Sequence, residues 1–426
     1  MNEALLSPEY AARMDQADPL RKFRDEFLFP QHAGAPMAYF VGNSLGLQPK
    51  GARKHVEEVL NKWADEAVEG HFTGEAQWMP YHALVRDGLA TLVGAKPHEV
   101  VAMNSLSANL HLMMVSFYQP TLERTAILIE AGSFPSDRYA VESQLKFHGF
   151  NAGNSLIEVE PDLPNGVFSD ECIANAIRTH GKRLSLVLWP GVQYRTGQAF
   201  DMAKIAELAH EAGAMVGFDL AHAVGNLPLQ LHDINADFAV WCHYKYVNSG
   251  PGAVGGCFVH ERHANTTRPR FAGWWGNNPD VRFKMGPEFS ATPGADGWQL
   301  SNPPILGLAP LRASLDQFQR AGMPALREKS LQLTAYLAQC IELYLSDAID
   351  IITPMAAEKR GAQLSLRVKE GRDAGRALFD HLAKHGVMGD WREPDVIRIS
   401  PAPLYNTYAD VQRFVRVTQE WLHDRS

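Results

Sequence analysis

Between about residues 125 and 260 the chain alternates short apolar, β-rich runs with amphipathic helical stretches. In order these are "TAILIE", "SDRYAVESQLKFHG", "SLIEVE", "SDECIANAIRTHG", "LSLVLW", "DMAKIAELAHEAG", "AMVGFDL" and "FAVWCH". Parallel neighbours need a crossover long enough to hold a helix, so this alternation predicts βαβ units and a mostly parallel sheet covered on both faces. Nothing else in the chain narrows the fold as far. Upstream, residues 50–93 read as helical, and "ARKHVEEVLNKWADEAV" sets Val56, Leu60, Trp63 and Ala67 on one face. After about residue 310 the pattern becomes a long helical region, then "AQLSLRV", a helix near 373–385 and "VIRISPAPLYNT". The expectation is an α/β chain with a large domain over 50–310 and a smaller α+β domain over 311–426, which the N-terminal segment 1–49 joins.

Composition enters by exclusion. The net charge of −8 comes from interspersed acidic and basic residues, which argues against a nucleic-acid groove or a polybasic membrane patch. Cys172, Cys242, Cys257 and Cys340 form no CxxC pair, so neither a zinc site nor a disulfide framework is expected, and a reducing compartment suits them. The 17 histidines form no HExxH pattern, and no metal is expected. The start, "MNEALLSPEYAARMDQADPL", has no apolar signal core, and no run approaches the ~18 apolar residues that a membrane span needs. The reading is a soluble, cytoplasmic protein without nucleic-acid or membrane partners.

In open parallel sheets, ligands gather at the carboxyl ends of strands. The strand "AMVGFDL" ends there in Asp219, and His222 follows in "DLAHAVG". The next strand leads into "CHYKYVNSGPGAVGG", which carries Lys245 between two aromatic residues ahead of a glycine-rich loop. Each signal alone has a plain reading: a helix-capping aspartate, a structural histidine, a snorkelling lysine. In combination they match the needs of pyridoxal phosphate. An amine condenses with its aldehyde, a carboxylate keeps its pyridine nitrogen protonated, and N–H groups at a helix start bind its phosphate. "MNSLSANLHLMM" at 103–114 fits the last role through Leu106 and Ser107, or is simply a capped helix. "GSFPSDRY" at 132–139 offers Phe134 for stacking on a flat ring, with Asp137 nearby, or is simply a loop and cap.

These residues, together with "YFVGNSLGLQP", "GVQYRTGQ", "HYKYVNSGPGAVGG", "GWWG", "LSNPPIL" and "IRISPAPLYN", resemble the kynureninase family of fold-type-I, aspartate-aminotransferase-like pyridoxal-phosphate hydrolases. The resemblance covers nearly the whole chain. It implies that Lys245 is the Schiff-base lysine, that Asp219 partners the pyridine nitrogen, and that His222 and Tyr244 line the cofactor, with Tyr244 reaching the phosphate. Leu106 and Ser107 become the phosphate loop, and Phe134, Pro135, Ser136 and Asp137 pack around the ring. Trp274 and Asn302 match positions that enter the site from a partner subunit, which implies a homodimer. Arg398 matches the arginine that grips the substrate α-carboxylate, a role suited to a bidentate guanidinium. His71, Ser301 and Asn302 are placed at the aromatic end of the substrate. One departure is Pro190, where the resemblance leads one to expect a hydroxyl residue on the cofactor.

The implied reaction is hydrolytic cleavage of the Cβ–Cγ bond of L-kynurenine or its 3-hydroxy form. It gives anthranilate or 3-hydroxyanthranilate and L-alanine, in tryptophan degradation through the kynurenine pathway and NAD biosynthesis. Lys245 serves as the base at the α-carbon, which requires its pKa to fall from the ordinary ~10.4. The rivals are a cysteine desulfurase or aminotransferase of the same fold, and a cofactor-free regulatory homologue. A desulfurase needs a mobile cysteine in the C-terminal half, and Cys340 there sits in an apolar helical stretch.

Overall fold

The computed structural model describes residues 5–425. Helix α1 (Pro8–Ala17) begins where the Ser7 side chain accepts the Tyr10 N–H, and α2 (Lys50–Glu66) begins after Pro49. Of the expected apolar stripe on α2, Leu60 and Trp63 are exposed, and the helix buries Ala52 and Val59 instead. The helical reading of 50–93 holds over α2 and again over Arg86–Val93, and breaks between them. α2 ends at Ala67 with a positive φ of 46°, and "EGHFTGEAQWMP" runs as short 3-10 turns and loop. Its glycines and proline cannot sustain a helix.

The large sheet uses β1 (Val100–Ala102), followed by helix α3 (Leu106–Phe117); β2 (Ala126–Glu130), followed by α4 (Pro135–Phe147); and β3 (Leu156–Val159), followed by α5 (Asp170–His180). It continues with β4 (Leu184–Pro190), α6 (Met202–Glu211), β5 (Met215–Asp219), β6 (Phe238–Cys242) and β7 (Gly255–Val259). The order is β1-β7-β6-β5-β4-β2-β3. Pairings among β6, β5, β4, β2 and β3 are parallel, and β7 alone runs antiparallel to both its neighbours. Strands β2, β6 and β7 are buried at every position, as continuous apolar runs covered on both faces must be.

Two long helices follow, α7 (Ile305–Ala321) and α8 (Met323–Tyr344), with Gly322 between them at φ 77°. Then come β8 (Ile349–Ile351), β9 (Leu364–Val368), α9 (Arg372–Lys384), β10 (Asp390–Arg392), β11 (Val396–Ile399) and α10 (Tyr408–His423). The four strands form an antiparallel sheet in the order β8-β9-β11-β10. A separate core forms around this sheet, with Leu333, Leu337, Leu366, Ile399 and Phe414. The N-terminal segment contributes Ala11, Ala38 and Phe40 to it. Ala38–Tyr39 pairs in parallel with Val387–Met388, which ties the start of the chain to its end. Among the described residues, no helix is long and apolar enough to cross a membrane.

Candidate active site

Strand ends converge at the carboxyl edge of the large sheet. β2 ends in Glu130, β4 in Pro190 and β5 in Asp219, while the chain leaving β6 at Cys242 soon reaches Lys245. The register sets Pro190 and Val240 level with Asp219 on its two neighbours. These ends, with the starts of α3 and α4, surround a cleft of about 540 Å³. Leu106, Ser107, Phe134, Ser136, Asp137, Asp219, His222, Tyr244 and Lys245 all line it. Pro135 lies between two lining residues as the first residue of α4, where its fixed φ starts the helix.

Lys245 Nζ lies 2.9 Å from His222 Nε2 and 5.9 Å from the ring centroids of both Phe134 and Tyr244. The backbone that carries it is fixed from several sides. Fully buried His243 donates Nδ1–H to the Val254 carbonyl at 2.6 Å and accepts the Trp241 indole N–H at 2.7 Å. Burial pushes its pKa down to about 4, so this imidazole is a neutral brace. The Asn248 N–H closes a turn onto the Lys245 carbonyl at 2.9 Å, with φ 58° at Asn248. From the N-terminal segment, Gly46 N–H donates to the Tyr244 carbonyl at 2.8 Å. A Cβ at Gly46 would stand 2.4 Å from the Lys245 oxygen, so only glycine allows this approach.

The opposite wall suits an anion. The Ser105 side chain makes no capping bond to α3, which leaves the first-turn amides at Leu106 and Ser107 to face a ligand. Ser107 and Ser136 hydroxyls meet at 2.8 Å, each able to turn its proton elsewhere. Gly255 on β7 makes room for this loop: a Cβ there would come within 3.0 Å of Leu106 N.

The sheet edge between these walls is acidic. Asp219 accepts the Ala221 N–H at 2.7 Å. Burial, and then the Asp219 carboxylate beside it, holds the Asp137 pKa well above the usual range, and Asp137 Oδ1 is buried without a hydrogen bond. Glu130 is pushed up to about 8, chiefly by burial, and its Oε2 is likewise unsatisfied. His222 is held well below its ordinary value by burial first, then by the charges of Lys245, Arg398 and Arg392. Its Nδ1 is buried and unpartnered. Buried polar atoms without partners carry a desolvation cost unless a ligand meets them. A planar cationic heterocycle with an aldehyde and a phosphate would answer all three walls: amine, carboxylates and anion-binding helix start. The residues fit pyridoxal phosphate.

Arg398, on β11, is fully buried. It donates Nη1–H to the Tyr194 carbonyl at 2.9 Å, and Tyr194 lines the cleft. Arg398 itself, His71, Trp274, Ser301 and Asn302 do not line the cleft of their own chain. His71 ends a 3-10 turn and packs edge-on against Trp78, with ring centroids 5.3 Å apart. Trp274 is 39 % exposed, and Ser301 and Asn302 are exposed in the loop before α7. Pro190, singled out in the sequence as a departure, does line the cleft. It is the last residue of its strand, and the pairing with β5 continues past it through the Gly191 N–H to the Asp219 carbonyl at 2.9 Å. Sequence reasoning missed Glu130, Val192 and Tyr194. The final residue of "TAILIE" was a usable signal for Glu130, since like Pro190 and Asp219 it ends a strand of the central parallel run.

Comparison with known proteins adds an independent line. Residues 326–418 match the family model described as the kynureninase C-terminal domain. The chain is 65 % identical over 417 residues to a kynureninase of Xanthomonas euvesicatoria pv. vesicatoria (strain 85-10), covering 98 % of this chain and 99 % of that one. Among solved structures it is similar to an apo cysteine desulfurase from Thermococcus onnurineus NA1, with TM-score 0.74, 18 % identity and 98 % of each chain covered. It is also similar to a C-DES mutant with glycine covalently linked to its PLP cofactor, with TM-score 0.74, 18 % identity, and 90 % of this chain and 97 % of that one covered. At such identities the solved structures speak to the fold alone: that of the fold-type-I pyridoxal-phosphate enzymes.

Proposed function

The chain belongs to the kynureninase family, and on that premise we propose roles for its residues in the hydrolysis of L-kynurenine to anthranilate and L-alanine. It is a pyridoxal-phosphate-dependent hydrolase acting on a carbon–carbon bond, with a place in tryptophan catabolism. The observation that carries the assignment of roles is Lys245 Nζ at 2.9 Å from a histidine kept neutral, in a cleft floored by carboxyl groups.

Bound in this cleft, the cofactor supplies an aldehyde for the substrate amine and a cationic ring that accepts the electron pair released at the α-carbon. Lys245 moves the proton at the α-carbon. The neutral imidazole of His222 gives its amine a hydrogen-bond partner without a second positive charge. Asp219, with one oxygen fixed by the Ala221 N–H, holds a proton on the ring nitrogen. Ser107, Ser136 and the first turn of α3 would hold the phosphate, with Tyr244 reaching it, and Phe134 would pack on the ring. Arg398 binds the α-carboxylate, and its guanidinium is oriented beforehand by the Tyr194 carbonyl.

We also propose that the enzyme is a cytoplasmic homodimer in which Trp274 and Asn302 complete the partner's site, with His71 and Ser301 at the substrate's aromatic end. Exposed Trp63 and Leu306 line one apolar groove with Val59 and Trp78, which supports a face for a second copy. The division into 50–310 and 311–426, with 1–49 attached to the latter, is supported by the separate core that Ala11, Ala38 and Phe40 share with the second sheet. The desulfurase alternative is weakened by Cys340, whose buried thiol is pushed up to about 11. Incubation with L-kynurenine, followed by anthranilate fluorescence, tests the assignment. Turnover of cysteine with none of kynurenine would end it.

A further inference from the structure

Arg398 does not stand alone. Strands β10 and β11 are antiparallel neighbours whose register sets Asp390 opposite Arg398. Asp390 and Arg392 are two apart on one strand, and so share a face of it. Arg398 donates Nε–H to Asp390 Oδ1 at 2.9 Å. Its Nη2 lies 2.8 Å from the same oxygen but is not aligned for a hydrogen bond, and it remains a buried donor without a partner. Arg392 also reaches Asp390, with Nε 2.8 Å from Oδ1 and Nη2 donating to Oδ2 at 3.1 Å. Side-chain exposure falls from 32 % at Arg392 to 10 % at Asp390 and 0 % at Arg398. The charge of Arg392 also reaches His222 and Tyr244, two residues of the cleft wall.

A buried Arg398–Asp390 pair by itself is neutral, and a second carboxylate approaching it meets Asp390 as a like charge. We infer that Arg392 is a positioning residue for substrate recognition: by pairing with Asp390 it leaves the trio with one net positive charge, available at Arg398 Nη2 for the α-carboxylate of an amino-acid substrate. This rests on the reading of Arg398 as the carboxylate site. Arg392 acts through Asp390 and does not touch the reacting atoms. Its effect therefore falls on binding of the carboxylate and not on proton transfer at Lys245.

The test is steady-state kinetics of the holoenzyme with L-kynurenine, plus the Kd for the product L-alanine read from the cofactor absorbance. With Arg392→Gln, KM and the alanine Kd both rise about tenfold, while kcat changes much less. Arg392→Lys keeps the charge but loses the two-point contact, so both constants fall clearly below those of Arg392→Gln without fully reaching the wild type. The double variant Asp390→Asn/Arg392→Gln restores the single net charge, and KM returns to within about threefold of the wild type. A double variant as poor as Arg392→Gln overturns the inference, because mere loss of local structure would not be repaired by a second substitution. So does Arg392→Lys behaving like Arg392→Gln, or an unchanged KM in Arg392→Gln. Arg398→Lys separates the two levels. An unchanged KM there removes the carboxylate site itself, whereas a raised KM with an unaffected Arg392→Gln removes only the inference.

Discussion

Glu130 gives a quantitative test of how dry the cleft floor is. Its carboxyl closes β2 with 2 % of its surface exposed, and its pKa rises from 4.5 to about 8, first through burial and then through the charge of Asp219. The Gln193 side-chain bond at 3.5 Å is too long to offset this. In the unfolded chain the group releases its proton near pH 4.5, whereas in the folded chain it keeps it until about pH 8. Its stability contribution is therefore fully present below pH 4.5 and is lost as pH rises towards the folded value. At about 1.4 kcal/mol per unit, the cost is about 1 kcal/mol at pH 5 and about 4 kcal/mol at pH 8. The group is fully buried, so no allowance for solvent screening applies. Glu130→Gln removes the ionisation and keeps an oxygen for Gln193. Urea unfolding of the cofactor-free protein should therefore show the variant gaining over wild type as pH rises, the gap widening by about 3 kcal/mol between pH 5 and pH 8. A gap that stays constant across that range would refute the claim that this carboxyl is held protonated by its surroundings.

Lys245→Ala should abolish turnover of L-kynurenine and remove the visible absorbance of the lysine-bound cofactor; a band that survives without added amine would remove Lys245 from its role. Gly46→Ala drives a methyl group into the Lys245 carbonyl at 2.4 Å. It should cost about 1–3 kcal/mol of stability in a denaturant titration and lower kcat; an unchanged midpoint would show that the loop yields freely. His243, neutral in the fold with a pKa of about 4, binds its proton more readily when unfolded, so native stability should fall as pH drops from 6.5 to about 4. His243→Gln should flatten that slope by roughly 1 kcal/mol per pH unit, and an unaltered slope would place the acid sensitivity elsewhere.

Much of this architecture was legible beforehand because its signals are local. The short apolar runs alternating with helical stretches gave the parallel strands, and Asp219, His222 and Lys245 converge because each lies at or just beyond a strand end of one sheet edge. What the sequence hid depends on surfaces that meet across long distances. The stripe of Leu60 and Trp63 on α2 reads as core by periodicity, yet α2, packed against α7, buries Ala52 and Val59 and leaves Leu60 and Trp63 exposed. Nothing in "CHYKYVNSG" shows that Gly46, some two hundred residues earlier, lies against the Lys245 carbonyl. Asp390 and Arg392 read as surface charges until β10 and β11 are paired.

That contact at Gly46 has a consequence for how the enzyme comes into being. Asn43, three residues before it, donates to Gln363 at 2.8 Å, and Ala38–Tyr39 is hydrogen-bonded to Val387–Met388, so the brace beneath the reactive amine is itself anchored in the last tenth to sixth of the chain. During synthesis the ribosome must release nearly the whole polypeptide before this brace can lock. A nascent chain ending at residue 310 carries Lys245 and its sheet but lacks Gln363 and Val387–Met388, so nothing yet anchors the segment that holds Gly46 against the Lys245 carbonyl.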